Sequence, residues 1–181
     1  MPTSVATWLA EALLADLDTE LGAMGFKRRR RDYTYRREAG PVRQYVHLTI
    51  AKDRSLAQVS IDVAVRIHAI EETIDGQEGS SKNSRDRATV GVELGNWTGA
   101  GWRSWNLATP EDVAPVRAAL VAEFRRVGQP FLERFSSVAE IQQVLSKGGD
   151  EARLVCPLRE RWPEILSVSR TILAGHGLTS T

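Results

Sequence analysis

The chain has 181 residues, 42% of them hydrophobic and 26% charged, and this balance predicts a folded domain with a packed core rather than a disordered chain. A net charge of +1 excludes a polycation, and the single cysteine, Cys156, excludes an internal disulfide and a zinc site built from cysteines of one chain. No apolar run approaches the roughly 18 residues of a membrane helix, and the first residues lack the basic start of a signal peptide. We therefore expect a cytoplasmic protein without membrane contact.

The first predicted element is an amphipathic helix over residues 4–22. Ser4 or Thr3 can cap its start, and Gly22 or Gly25 can end it in a left-handed turn. Leucines recur every four positions and form one apolar stripe, as expected for a helix that packs on a core: Leu9, Leu13, Leu17 and Leu21.

Three strands are predicted next, over residues 31–38, 42–52 and 57–68. Short linkers between them indicate antiparallel hairpins in a meander. The third strand alternates most regularly, with Val59 and Ile61 on one face and Ser60 and Asp62 on the other. Such alternation predicts a sheet with one buried face and one wetter face.

The polar, glycine-bearing residues 70–87 are predicted to form a long loop. A strand over residues 88–94 follows, and a glycine- and tryptophan-rich turn at 95–107 leads into a last short strand. Three helices then end the chain. Thr109, Pro110 and Asp112 start the first, which Gly128 is expected to stop; Ser137 and Glu140 form a capping box for the second; the third covers about residues 158–174.

The predicted order gives an α+β fold. It has an N-terminal helix, a four- to five-stranded antiparallel meander sheet, and two to three C-terminal helices packed on one face of that sheet. We expect residues 1–149 to form the α+β domain. Residues 150–181 would then be a C-terminal helical extension of the same domain.

Two segments resemble a bacterial family of unknown function, the domain family numbered 4304. Gly25, Phe26 and Lys27 match the start of the family pattern. Six residues of "QPFLERF" match a later segment of it, with Phe131 where the family usually has an aromatic residue, often tryptophan: Gln129, Pro130, Phe131, Leu132, Glu133 and Phe135. The resemblance covers about residues 8–145 and implies the α+β fold and a bacterial cytoplasmic setting. The family brings no catalytic residues to this chain, and proteins of this kind are similar in size and shape to immunity proteins and other small binding modules.

A basic stretch, "KRRRR" at residues 27–31, gives the chain its most uneven charge. One interpretation is phosphate contact with nucleic acid through four consecutive arginines and stacking by Tyr33 and Tyr35. The other is protection of a sheet edge by charge, which we favour because alternation puts both tyrosines on one face, as in a core. The candidate basic rim consists of Arg28, Arg29, Arg30, Arg31 and Arg36.

The wetter sheet face is the preferred binding surface. A pair such as His47 and Asp62 would lie within acid–base reach if the two residues were cross-strand neighbours, although a solvated face with loose ion pairs is favoured over catalysis. Glu93 is a further candidate for this face. The candidate binding residues of this face are His47, Asp62, Arg66 and His68.

Three tryptophans fall within nine residues, among glycines: Trp97, Trp102 and Trp105. They predict either a rigid aromatic recognition loop or a structural clamp on the sheet edge, and both interpretations stay open. Trp97 is expected to be the more exposed, and Trp97 and Trp102 are the candidate binding residues of the loop.

No motif predicts catalytic residues, a cofactor or a metal site. The leading hypothesis is therefore a non-enzymatic protein-binding module of interaction or immunity type, with an unidentified protein partner. The alternatives are a nucleic-acid-associated protein that binds phosphates through Arg28–Arg31, and a small-molecule binder or enzyme on the sheet face.

Overall fold

The structure is a computed structural model and describes residues 4–29, 32–78 and 87–177. The helices are α1 Val5–Ala23, α2 His68–Glu78, α3 Leu94–Trp97, α4 Val113–Glu123, α5 Gln129–Phe135, α6 Val138–Lys147, α7 Gly149–Val155 and α8 Trp162–Gly177. The strands are β1 Lys27–Arg28, β2 Thr34–Ala39, β3 Val42–Lys52, β4 Ala57–Ile67, β5 Val90–Glu93 and β6 Trp105–Leu107. This order is the predicted α+β class, with several C-terminal helices after a mainly antiparallel meander.

Helix α1 is confirmed almost residue for residue. The Ser4 side chain accepts a hydrogen bond from the amide of Thr7 at 3.3 Å, which satisfies one of the free N–H groups at the helix start. Gly25, at φ 84°, takes the left-handed conformation that reverses the chain into β1. The predicted leucine stripe is buried along its whole length.

The six strands follow the order β1-β2-β3-β4-β5, and β6 also pairs with β4. The bond from the Leu48 amide to the Tyr33 carbonyl sets the register between β2 and β3. The hairpin of β3 and β4 has the same register at both ends, where the amides of Asp53 and His68 bond to the carbonyls of Leu56 and Pro41. Because these registers hold along the strands, Thr34 lies opposite His47, and His47 lies opposite Asp62.

The chain divides into two compact units. Unit 1 contains residues 1–37, 45–63 and 93–130, and unit 2 contains residues 38–44, 64–92 and 131–181. Strands β3 and β4 contribute residues to both units. The division therefore does not follow the sequence boundary at residue 149.

The core of unit 1 lies between one sheet face and helices α1 and α4. Leu17, Leu48, Ile61, Leu120 and Phe124 come together there, and each is almost wholly buried. The Tyr35 hydroxyl donates a hydrogen bond to the Leu14 carbonyl at 3.3 Å, so α1 covers the face of β2 that carries Tyr35. Burial of this apolar surface is the main stabilising term for the unit.

Gly128 does not end the fourth helix, contrary to the prediction. The helix continues from α4 through a π-helical turn, Phe124–Gly128, into α5. Pro130 lacks the N–H for a regular helical bond and its ring crowds the preceding turn, and widening that turn is one way for a helix to pass a proline. Gly128 is needed here for space, because a Cβ would lie 2.7 Å from the Phe124 ring.

Residues 68–78 form helix α2, where a long loop was predicted. Ile70 and Ile74 are buried at helical spacing, and Glu71 between them is wholly buried. The sequence looked polar because four acidic residues and a threonine fall in this segment. The prediction for residues 79–86 lies outside the described residues.

Unit 2 has its own core around α5, α6 and α8. Phe131, Leu132, Phe135, Ile141 and Ile165 are almost wholly buried. The predicted capping box of α6 is confirmed in one direction, since Ser137 accepts from the Glu140 amide at 3.3 Å. Helix α7 was not predicted. Within the described part of the chain, no helix combines the length and the apolar character that a bilayer crossing requires.

Candidate functional site

Strand alternation divides the basic stretch into two sets of side chains. Arg28 lies opposite Tyr35 and therefore turns toward α1, where its guanidinium donates two hydrogen bonds to the Asp18 carboxylate at 2.8 and 2.9 Å. Arg37 turns the same way and stacks 4.5 Å over the Phe26 ring. These two arginines hold β1 and β2 against α1, which is a structural role.

The other set turns to the opposite sheet face. Lys27 lies opposite Arg36, and the Arg29 amide bonds to the Thr34 carbonyl, so the side chains of Lys27, Arg29 and Arg36 share that face. Arg29 forms a long ion pair with Asp32 at 3.8 Å. Lys27 and Arg36 are exposed and have no ion-pair partner within the described ranges. Arg30 and Arg31 of the predicted rim lie outside the described residues.

The predicted pair of His47 and Asp62 is on this same face, which we call the open face. His47 Nδ1 is 2.8 Å from the Thr34 hydroxyl, and the Thr49 hydroxyl donates to Asp62 at 3.4 Å. Burial raises the pKa of Asp62; the facing His47 lowers it in part, and Glu93 adds to the rise. A carboxyl and an imidazole on neighbouring strands can exchange a proton or hold a polar group.

Ser60 was predicted on the wetter face, but it is only 2% exposed. The face is therefore open at Thr49 and Arg36 and closed at Ser60. Strand alternation gives the direction of a side chain, whereas cover by other elements gives its exposure. The sequence pattern predicts only the direction of each side chain.

Arg66 and His68, the other two predicted residues of this face, are residues of unit 2 and have partners of their own there. Arg66 is 3% exposed and forms an ion pair with Asp75 at 3.3 Å. His68 begins α2 instead of ending β4, and its Nε2 lies 3.2 Å from a Glu38 carboxylate oxygen. An acidic helix that follows β4 thus removes Arg66 from solvent.

Arg66 is one member of a buried ionic network in unit 2. The Arg161 guanidinium donates to both oxygens of Glu71 at 3.0 and 2.8 Å and to the Ala88 carbonyl at 3.0 Å. Arg66 adds a 3.8 Å contact to Glu71. Burial raises the pKa of Glu71, whereas Arg161, Thr89 and Arg66 oppose the rise. The network joins α2, the start of β5 and the start of α8, so we assign it a structural role.

The tryptophan loop, residues 95–105, is fixed by a buried carboxylate. Glu93 accepts hydrogen bonds from the amides of Gly95, Asn96 and Arg103 at 3.0, 2.7 and 3.3 Å. Gly95 is packed so closely that a Cβ would collide with the Gly101 carbonyl oxygen. Glu93 thus closes the loop instead of serving the sheet face, and the sequence held no motif that marked this role.

Trp102 is 59% exposed at the outside of this loop, and Trp97 is half-buried. The expectation that Trp97 would be the more exposed is therefore wrong. Trp105 packs under the Arg103 guanidinium at 5.2 Å, and Arg103 forms an ion pair with Glu123 at 3.3 Å. The two predicted roles are divided: Trp105 helps to anchor the loop, whereas Trp102 is presented to solvent.

A small groove of about 220 Å³ in unit 2 lies between the start of β5 and the segment that joins α7 to α8. Cys156 and Arg161 are among the residues that line it, and the four predicted sheet-face residues are not. Burial raises the pKa of the Cys156 thiol, so the thiolate is disfavoured. The volume of the groove is below the roughly 300 Å³ of typical ligand pockets.

Within residues 4–29, 32–78 and 87–177, no cluster of three or more His, Cys, Asp or Glu side chains is placed to bind a metal ion. No protein-family model, curated protein or solved structure matches the chain. The resemblance to family 4304 stays a prediction. Function must therefore be argued from the geometry of the tryptophan loop and of the open face.

Proposed function

We propose that the protein is a non-enzymatic binding module for another protein, with the tryptophan loop as the centre of the contact surface. The observation that carries this proposal is Trp102, which is 59% exposed although it stands on a closely fixed loop. Tryptophan is the side chain most enriched at the energetic centres of protein interfaces.

Fixation of the loop supports the proposal because it lowers the entropic cost of binding. Three amides are held by Glu93, and Gly99 and Gly101 take left-handed conformations at φ 75° that few other residues adopt. A side chain held in place before binding loses less freedom when the complex forms. An exposed tryptophan on a loop that was not fixed in this way would be weak evidence for an interface, since single exposed apolar residues are common.

Affinity capture with matched variants tests this proposal. The immobilised protein, Trp102→Ala and Trp8→Ala are each exposed to a lysate of the cells that contain the gene. Trp8 is the control because it is 50% exposed on α1 and has no fixed loop around it. We expect wild type and Trp8→Ala to retain the same partner protein. Trp102→Ala should fail to retain it, because its affinity for that partner is lowered about 30-fold or more.

The proposal fails if Trp102→Ala retains the same proteins as wild type with the same affinity. It also fails if both tryptophan variants lose them equally, because the effect would then come from general surface hydrophobicity. A far-ultraviolet circular dichroism spectrum and a thermal unfolding curve of each variant show whether the fold is preserved.

A further inference from the structure

We infer that the open face next to β1 is a binding site for the phosphate backbone of a nucleic-acid duplex, formed by Lys27, Arg29 and Arg36. This site is independent of the tryptophan loop and differs from the four consecutive arginines that the sequence suggested.

The first observation is an uncompensated pair of like charges. Lys27 and Arg36 are directly opposite on neighbouring strands, where Cβ atoms are about 5 Å apart, and like charges in that position repel. Both are exposed without an ion-pair partner in the described segments. Arg28, by contrast, is neutralised by Asp18 at 2.8 Å and cannot contribute a free charge. An anion bound between Lys27 and Arg36 would remove their repulsion.

The second observation is a pair of hydrogen-bonding side chains beside these cations. The Thr34 hydroxyl and the His47 imidazole lie on the same face, one row along the strands. Arginine, lysine and threonine side chains are the usual phosphate contacts in protein–DNA interfaces. Asp32 is held in its 3.8 Å pair with Arg29, and Asp62 lies beyond His47. Glu38, two residues after Arg36 in β2, is paired with Arg43 and His68.

The surroundings favour a nucleic acid over an acidic protein. Protein interfaces have an apolar centre, yet none of the large exposed apolar side chains of the described chain belongs to β1 or β2. They are Val5, Trp8, Leu56, Trp102, Leu154 and Leu158. A polyanion with a hydrophilic backbone suits this patch better.

The tyrosines favour a duplex over a single strand. Tyr35 is buried, Tyr45 is only 6% exposed, and the Tyr33 hydroxyl accepts a hydrogen bond from Lys52 at 2.8 Å. No tyrosine, phenylalanine or tryptophan ring is presented here on which unpaired bases could stack, among the residues described on β1 to β3. Binding through the backbone alone depends on charge density, which is higher in a duplex.

Salt-dependent binding to a fluorescein-labelled DNA duplex of about 20 base pairs tests the inference. Three phosphate contacts predict that wild type loses about 40-fold in affinity between 50 and 200 mM salt. The variant K27Q/R36Q keeps one contact and should lose only about 3- to 4-fold over the same range, with weaker binding at low salt.

The matched control is R125Q/R153Q, which removes the same charge from exposed positions that pair with Glu20 at 3.7 Å and Asp150 at 3.4 Å. We expect the control and Trp102→Ala to bind the duplex as wild type does, which separates this site from the proposed protein contact. The inference is overturned if wild type does not bind the duplex or if the control loses as much affinity as K27Q/R36Q. Equal binding of a labelled single strand, or of a polyglutamate peptide of matched charge, would also overturn it.

Discussion

Truncation of the buried ionic network should destabilise the protein strongly, and Glu71→Met is the sharpest test. Glu71 is 0% exposed and accepts two charge-assisted hydrogen bonds from Arg161. Its loss leaves the Arg161 guanidinium, with 11% of its side chain exposed, without its counter-ion. Two hydrogen bonds to charged groups contribute about 1.5–3 kcal/mol each, and broken buried ion pairs cost about 3–5 kcal/mol.

We therefore expect Glu71→Met to lower the free energy of unfolding by about 3–5 kcal/mol, or the Tm by about 6–20 °C. Arg161→Met should cost a similar amount, because it removes both charge-assisted hydrogen bonds of Glu71 and leaves Thr89 and the 3.8 Å contact to Arg66. The double variant replaces both charges with apolar groups and should cost clearly less than the sum of the two single variants.

Urea denaturation followed by circular dichroism measures all three variants. The raised pKa of Glu71 indicates that its partners do not fully offset the cost of burying its charge. This agrees with the small loss of stability expected for the double variant, which buries no charge at these two positions. Single variants that cost below about 1 kcal/mol, or a double variant that equals their sum, would refute the assignment of Glu71 and Arg161 to one coupled network.

Three further predictions concern the loop, the open face and the thiol. Gly95→Ala should lower the free energy of unfolding by about 1–3 kcal/mol, because the new Cβ would meet the Gly101 carbonyl oxygen. Gly22 is a helix position with free space around it, so Gly22→Ala should be neutral or stabilising. Thermal unfolding compares the two variants. Burial raises the pKa of Asp62 above 3.8, so its contribution to stability is present at low pH and is lost as the pH rises through the folded-state pKa. Asp62→Asn should therefore stabilise the protein at pH 7 and not at pH 3 in urea titrations, and the opposite pH dependence would contradict the burial of this carboxyl. Cys156 is 4% exposed with a raised pKa, so a thiol reagent should label it more than an order of magnitude faster in denaturant than in the folded protein, and equal rates would show an accessible thiol.

Much of the fold could be predicted from local patterns. The bounds of β3 agree with the prediction, as do the start of α1 and the cap of α6 at Ser137, because hydrophobic periodicity and capping side chains act within a few residues. The predictions failed at α2 and at Gly128. A buried Glu71 looks polar in the sequence, and a π-helical turn lets the chain continue where a glycine and a proline indicate an end.

The site was predicted in part. Two-residue turns set the hairpin registers, and these registers place His47 opposite Asp62, as the sequence analysis had allowed. The same alternation sorts the basic stretch, but only the pairing of Lys27 with Arg36 shows which cations share a face. Without that register, Arg28 and Arg36 were equal candidates.

The sequence by itself determined the class of the fold, the strands from β2 onward and the direction in which their side chains point, because all three depend on local periodicity. It did not predict β1. Only the tertiary structure decided which polar side chains are buried, since the partners that bury them come from distant parts of the chain. Arg161 meets Glu71 across 90 positions, Asp18 neutralises Arg28 from a helix, and Glu93 fixes the loop that exposes Trp102. The burial of a side chain and the neutralisation of its charge depend on contacts with residues that are distant in the sequence. A local sequence pattern therefore cannot predict them.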